Sequence, residues 1–223
     1  MNKMTKGTIT IRKDSLWKYS TFILLAFVVI AGFVYFSGDD EESGGVINPV
    51  APSQPSAPTQ PSQVSVEGRD FKGAEDATVT MVEYSSFSCG FCNRVRDTLD
   101  QILQTYPGDV KIVYKHFDRG GTDSQTAQGT ECAGEQGQFW EMHDMIFDKG
   151  ADVKSHVEEL GLDVGAFNEC LDSGKYASLV QQDTTEAKAN GIRGTPGFLI
   201  NGKLVSGAQP FENFKQVIDA ELA

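Results

Sequence analysis

Cys89 and Cys92 stand where a strand pattern gives way at once to a helix pattern, and that junction limits the topology of everything around it. From Thr78 to Ser85, the residues Val79, Met81 and Tyr84 among Thr and Val read as a buried strand. From Cys89 onward, Cys92, Val95, Leu99, Ile102 or Leu103, and Tyr106 recur at helical spacing, and Pro107-Gly108 ends the run. Val110 to Phe117 reads as a second strand, so the order is strand, helix, strand, which favours parallel pairing.

The junction also sets the chemistry. The first turn of a helix directs unpaired amide N–H groups and the positive end of the dipole at the first sulfur. That lowers the thiol pKa and makes Cys89 a good nucleophile and leaving group. Three residues along a helix bring Cys92 onto the same side but deeper, so Cys89 is expected to attack and Cys92 to resolve. Two other readings compete. A zinc site would want a second Cys-x-x-Cys or a His pair at ligand spacing, whereas His116, His143 and His156 are single and scattered. An inert structural bridge is compatible with the spacing, although a strand-to-helix elbow is an exposed place for one.

Between residues 120 and 190 the patterns are helical only. Thr122 opens a Thr-x-x-Gln capping box; Phe139, Trp140, His143, Ile146 and Phe147 form one apolar stripe, on which His143 reads as a packed residue. Val153, Val157 and Leu160 mark a short helix, Asp163 caps another bearing Phe167, Cys170 and Leu171, and a last one runs from Tyr176 to Asn190. Then Phe198 to Ile200, the turn Asn201-Gly202, and Leu204 to Ser206 predict a hairpin, because Asn-Gly supplies the positive φ angles of a type I′ turn. Phe211, Phe214, Val217 and Ile218 close the chain on an amphipathic helix. Cys132 and Cys170 lie in two of the inserted helices; a disulfide between them would pin the insertion together, and two buried free thiols are the other reading.

These residues carry a family resemblance. The run Val82-Glu83-Tyr84-Ser85-Ser86-Phe87-Ser88-Cys89-Gly90-Phe91-Cys92, the later Gly194-Thr195-Pro196-Gly197-Phe198, and Glu135 to Asp144 between them resemble the DsbA-like branch of the thioredoxin superfamily. The resemblance covers residues 69 to 222. It implies an α/β thioredoxin-like fold with a helical insertion, no cofactor, and protein disulfide oxidoreductase activity that oxidises exported proteins; a disulfide reductase or isomerase using the same site, and a non-enzymatic chaperone or metal-binding module, are the alternatives. It also implies that Thr195-Pro196 is a cis-proline loop facing the cysteine pair, with Thr195 offering main-chain hydrogen bonds to an extended client segment. Glu83 falls where this superfamily often keeps a buried acid that takes the proton from Cys92; an exposed Glu at a sheet edge is the alternative. Its partner cation could be Lys115, whose face strand alternation does not decide. Phe87 and Phe91 are candidates for an apolar client surface, or for inward packing.

The N-terminal third sets the location. From Tyr19 to Gly38 there are 20 residues without a charge, enough to span roughly 30 Å of hydrocarbon. Lys and Arg precede this run, Asp39, Asp40, Glu41 and Glu42 follow it, and Trp17, Tyr19 and Tyr35 flank it as an aromatic belt. The expected order is a cytoplasmic segment 1–18, a transmembrane anchor 19–38, a Pro/Ser/Gln-rich linker 39–66 and an extracytoplasmic domain 67–223. A cleaved signal peptide is the alternative, though Val34-Tyr35-Phe36-Ser37 lacks a small-x-small site. Pro49, Pro52, Pro55, Pro58 and Pro61 repeat every third residue, as in polyproline II, which makes the linker a semi-rigid spacer. Residues 1–36 carry a net charge of +4 and the remainder −16, an acidic balance that argues against nucleic acid. The expected partners are exported proteins with cysteine thiols and a membrane redox protein that resets the active site. The domain is expected to be a monomer, since no dimerisation stalk separates it from the linker.

Overall fold

The computed structural model describes residues 64–223. The expected cytoplasmic segment 1–18, the anchor 19–38 and the linker through residue 63 lie outside the described residues. Among the described residues no helix is long and apolar enough to cross a membrane.

Five strands and seven helices follow one another in the described chain: β1 Phe71–Gly73, β2 Val79–Ser85, α1 Gly90–Thr105, β3 Val110–His116, α2 Thr122–Gly134, α3 Phe139–Lys149, α4 Val153–His156, α5 Val164–Asp172, α6 Ala177–Ala189, β4 Gly197–Ile200, β5 Lys203–Ser206 and α7 Phe211–Leu222. The sheet order is β1-β3-β2-β4-β5. β2 and β3 pair in parallel across the α1 crossover, while β1 lies antiparallel to β3 and β4 antiparallel to β2. β2 is therefore an interior strand with both faces covered, and its run of buried residues is the sequence expected for that position.

Alternation along β2 sorts its side chains between two cores. Val79 and Met81 face α1 and α7, packing with Val95, Leu99, Ile102, Phe214 and Ile218. Val82 and Tyr84 face the other way, toward Ala187 and Ile192 near the end of α6. Fully burying one side chain such as Phe214 contributes about 2 kcal/mol. By the same alternation Glu83 and Ser85 fall on the α1 face, in line with Met81, so the strand delivers two polar groups beneath the cysteine helix. Asn201, at φ 45°, and Gly202, at φ 84°, form the turn of the β4–β5 hairpin.

The helical insertion, α2 to α6, has its own core of Met142, Ile146, Val153, Phe167 and Leu171. A disulfide between Cys132 and Cys170 joins α2 to α5. Asp163 caps α5 by accepting the Ala166 N–H at 3.0 Å.

The structure departs from the sequence reading in four places. β1 was not expected; it has three residues, too few to show a period of two, and Gly73 ends it at φ 104° where a Cβ would stand 2.3 Å from the Val110 carbonyl. Thr122 does not cap α2: Gly121 holds that position without a side-chain bond, and Thr122 lies inside the helix. α4 stops at His156, and Val157 to Gly161 continue as a turn closed by the Leu162 N–H on the Val157 carbonyl at 3.0 Å. Val64 and Val66, within the expected linker, pack on the Val82 face of the sheet.

Candidate active site

Cys89 is the N-cap of α1, in extended backbone with φ −101° and ψ 110°. Its N–H donates to the Ser86 carbonyl at 3.0 Å, and its own carbonyl accepts the N–H groups of Cys92 at 3.0 Å and Asn93 at 3.2 Å. Cys92 is thus one helical turn inside. Both carry free thiols and both are buried.

Their environments push the two thiols apart. Burial raises the Cys89 pKa, but hydrogen bonds from the Thr195 side chain, from Cys92 and from the N–H groups of Cys92 and Phe91 outweigh it, and the net direction is down. In its neutral form the Cys89 thiol donates to the Thr195 carbonyl at 3.3 Å. The Thr195–Pro196 bond is cis. At Cys92 burial dominates; the Ser85 hydroxyl opposes it, the charge of Glu83 adds to it, and the thiol is pushed up to about 12.

Glu83 is 4% exposed at the centre of the sheet, which rules out the sheet-edge reading. Burial raises its carboxyl to about 7, with the Ser85 hydroxyl, Lys72 and Arg96 pulling the other way. Lys115 is not its cation: register pairs Lys115 with Tyr84 on the opposite face, where it binds Glu186 at 2.6 Å. The cations near Glu83 are Lys72 of β1 and Arg96 of α1, which hold Asp144 at 3.2 and 3.3 Å over a cavity of about 40 Å³ that Glu83 lines.

Phe91 and Phe87 divide between the two readings open to them. Phe91 is 58% exposed beside the cysteine pair, with the Arg94 guanidinium 4.1 Å from its ring centroid. Phe87 turns inward onto Tyr114, His143 and Phe147, with centroids 5.1 to 5.6 Å away. His143 packs in that aromatic group and places Nδ1 2.8 Å from Asp144. Among the described residues no cluster of three or more His, Cys, Asp or Glu side chains is placed to hold a metal.

One residue that sequence reasoning missed shapes the elbow. The buried Asp123 carboxylate, at the start of α2, accepts from the Ser86 hydroxyl at 2.9 Å, the Ser88 N–H at 3.2 Å and the Arg119 N–H at 3.0 Å. It ties down the turn that presents Cys89. No spacing signal could have found it, because the contact spans 35 residues.

A parallel β2–α1–β3 unit with an interposed helical domain, carrying a dithiol at the α1 N-terminus opposite a cis-proline loop, is a thioredoxin-like fold with a helical insertion. The chain belongs to the thioredoxin family, whose model matches residues 65–220. Among solved structures, BdbD from Bacillus subtilis is 24% identical and superposes with a TM-score of 0.65 over 71% of this chain and 95% of that one. DsbA2 of Pseudomonas aeruginosa is 26% identical, with a TM-score of 0.58 over 69% and 93% of the two chains. A protein named Na(+)/H(+) antiporter NhaA 3, from Salinispora tropica, is 31% identical over 160 residues, which are 68% of this chain and 24% of that protein. The chain thus spans about a quarter of the length of the curated relatives it matches.

Proposed function

We propose that this chain is a membrane-anchored, extracytoplasmic protein disulfide oxidoreductase that oxidises cysteines of exported proteins through Cys89 and Cys92. The observation that carries this reading is the opposed environment of the two thiols, Cys89 held below the ordinary thiol range and Cys92 far above it. A stabilised Cys89 thiolate favours the reduced enzyme, and an enzyme that is stable when reduced is a good oxidant.

In the reaction a client thiolate attacks Cys89 Sγ of the Cys89–Cys92 disulfide. The S–S bond between the cysteines breaks, and Cys92 leaves with the electron pair and takes a proton, for which Glu83 is the donor. A second client thiolate then attacks the client sulfur of the mixed disulfide, and Cys89 leaves as its stabilised thiolate. The client gains one disulfide and the enzyme is left reduced, to be reset by a membrane redox partner. Phe91 and the Thr195-Pro196 loop offer the client an apolar contact and main-chain groups.

Anchoring rests on the uncharged run Tyr19–Gly38 and its flanking charges. The match to about a quarter of proteins named antiporters supports a domain that works as a module beside a membrane. Equilibrating the full-length protein with glutathione, and offering it a reduced unfolded client, tests the oxidant reading. A potential near that of protein disulfide isomerase or above it, about −180 mV, with oxidation of the client, is expected. A potential near that of thioredoxin, about −270 mV, with reduction of client disulfides, would make the chain a reductase. Cleavage of the domain by protease added outside intact cells tests its location.

A further inference from the structure

Two buried hydroxyls stand unpartnered beneath the cysteine helix. Ser85 Oγ and Tyr114 OH make no hydrogen bond to any protein group, although each residue is 1% exposed. Buried polar groups are nearly always paired, so an orphan calls for an explanation, and two together at a reactive centre call for a shared one.

The sheet puts them together. Glu83 and Tyr114 are register partners across the parallel β2–β3 pair, so their side chains leave the sheet side by side. Ser85 lies two residues beyond Glu83 on the same face, the face that α1 covers with the fully buried Cys92. The Ser85 hydroxyl acts against burial at Cys92, Glu83 and Tyr114 alike, lowering the pKa of each. The groups that face Glu83 from neighbouring elements are Cys92, Arg96 and Asp100 of α1, Lys72 of β1, Tyr114 of β3, and His143 and Asp144 of α3. Glu83 also lines the cavity of about 40 Å³, which has room for water. Trp140 Nε1, likewise buried and unpartnered, belongs to a residue lining the same cavity.

We propose that Ser85 and Tyr114 form a hydroxyl relay that carries the proton between Cys92 and Glu83, with the cavity as its exit toward the Lys72–Asp144–Arg96 cluster. The proposal rests on the oxidoreductase reading above and adds the route of its proton. A serine hydroxyl both donates and accepts, so it passes a proton on by accepting one and releasing another. The orphaned state fits such a relay, since catalytic hydrogen bonds are often open in the resting enzyme and close as charge develops. When a mixed disulfide at Cys89 is resolved, the Cys92 proton passes through the Ser85 hydroxyl to the Glu83 carboxylate. The electron pair left on Cys92 attacks Cys89 Sγ, the Cys89–client bond breaks, and the client leaves as a thiolate. As charge develops at Cys92, the Tyr114 hydroxyl turns to donate to Ser85 Oγ and steadies its orientation, which makes Tyr114 a positioning residue.

The test uses the reduced full-length protein and a peptide whose single cysteine is a pyridyl disulfide. Release of pyridinethione reports attack by Cys89, and later release of the peptide thiol reports resolution by Cys92. Ser85→Ala and Tyr114→Phe are expected to leave the first step unchanged, which also shows that they are folded, and to slow the second about tenfold or more at neutral pH. Ser85→Thr, which keeps the hydroxyl, should retain most of the rate. In the wild type the second step should bend near pH 7 as Glu83 ionises; in Ser85→Ala the bend should vanish and the rate climb steadily with pH. Wild-type second-step rates and an unshifted pH profile in both variants would overturn the relay. Absence of the first step in the wild type would instead remove the oxidoreductase reading on which the relay rests.

Discussion

The Cys89 thiol and the Thr195 carbonyl meet at 3.3 Å, joining the head of α1 to the loop before β4 across 106 positions of chain. The same residue acts on the sulfur in two ways. Its carbonyl receives the thiol proton, which holds the neutral form, while its side chain donates to the thiolate, and the second effect contributes to the lowered pKa. Thr195→Val keeps the β-branched shape and removes the hydroxyl, so the Cys89 pKa should rise. Iodoacetamide alkylation of the reduced protein across pH should show a wild-type midpoint below the free-thiol value of about 8.5 and a higher one in Thr195→Val. Equal midpoints would assign the stabilisation to Cys92 and the helix amides without Thr195.

Cys92→Ala leaves the nucleophile without its resolving partner. Mixed disulfides with clients should accumulate through Cys89 and appear on non-reducing gels of membranes, disappearing when Cys89→Ser is added. A folded, abundant Cys92→Ala protein without adducts would argue against direct exchange.

Glu83 ties stability to pH. Its carboxyl is raised to about 7 because burial penalises the charge, so the folded state binds this proton more tightly than the unfolded chain does. The resulting stability is fully present below the unfolded value, about 4.3 for an ordinary Glu, and is lost as pH rises through about 7. At about 1.4 kcal/mol for each tenfold in proton affinity, the loss across that window is about 4 kcal/mol. Glu83→Gln has no proton to lose. Urea midpoints of the two proteins should therefore lie close near pH 4 and separate in favour of Glu83→Gln by pH 8, and a constant difference over that range would mean that Glu83 does not titrate in it.

Asp123→Ala removes the acceptor of three bonds at the elbow. Hydrogen bonds to a charged group contribute about 1.5 to 3 kcal/mol each, not additively, so a loss of roughly 3 kcal/mol in urea unfolding is expected. Hydrogen exchange at the Ser88 amide should speed up in Asp123→Ala and recover in part in Asp123→Asn, which keeps one carbonyl oxygen. Unchanged exchange at Ser88 would show that the turn is held without Asp123.

How legible each element was follows from the range of the contacts that define it. The β2–α1–β3 unit and the Asn201-Gly202 hairpin were readable because alternation, helical spacing and turn chemistry are local. The same alternation that buries Val79 and Met81 puts Glu83 beneath Cys92. The cation near Glu83 was not readable, since Lys115 could be assigned to a face only once the parallel register with Tyr84 was known. Asp123 carries no local signal for its role, because the Ser86 and Ser88 groups it holds lie 37 and 35 residues away in the chain. The orphaned Ser85 and Tyr114 hydroxyls have no sequence signature, because being unpartnered is a property of the packed interior.

The two cysteine pairs should separate by experiment. Cys132 and Cys170 are bonded within the insertion and bury against its core, whereas Cys89 and Cys92 carry the helix-terminal activation, the acid beneath and the Thr195-Pro196 loop opposite. The Cys132–Cys170 bridge closes a loop of 38 positions, which the loop-closure account values at about 4 kcal/mol through the unfolded chain. For a domain of this size each kcal/mol moves the unfolding midpoint by roughly 2 to 4 °C, so Cys132→Ala with Cys170→Ala should lower it by roughly 10 °C. Disulfide transfer to a reduced client at a permissive temperature should stay largely intact. Cys89→Ala with Cys92→Ala should abolish transfer while the domain remains folded. Comparable loss of transfer in both double variants, each still folded, would mean that electrons pass through the second pair, and the division between a stabilising bridge and a reactive dithiol would be wrong.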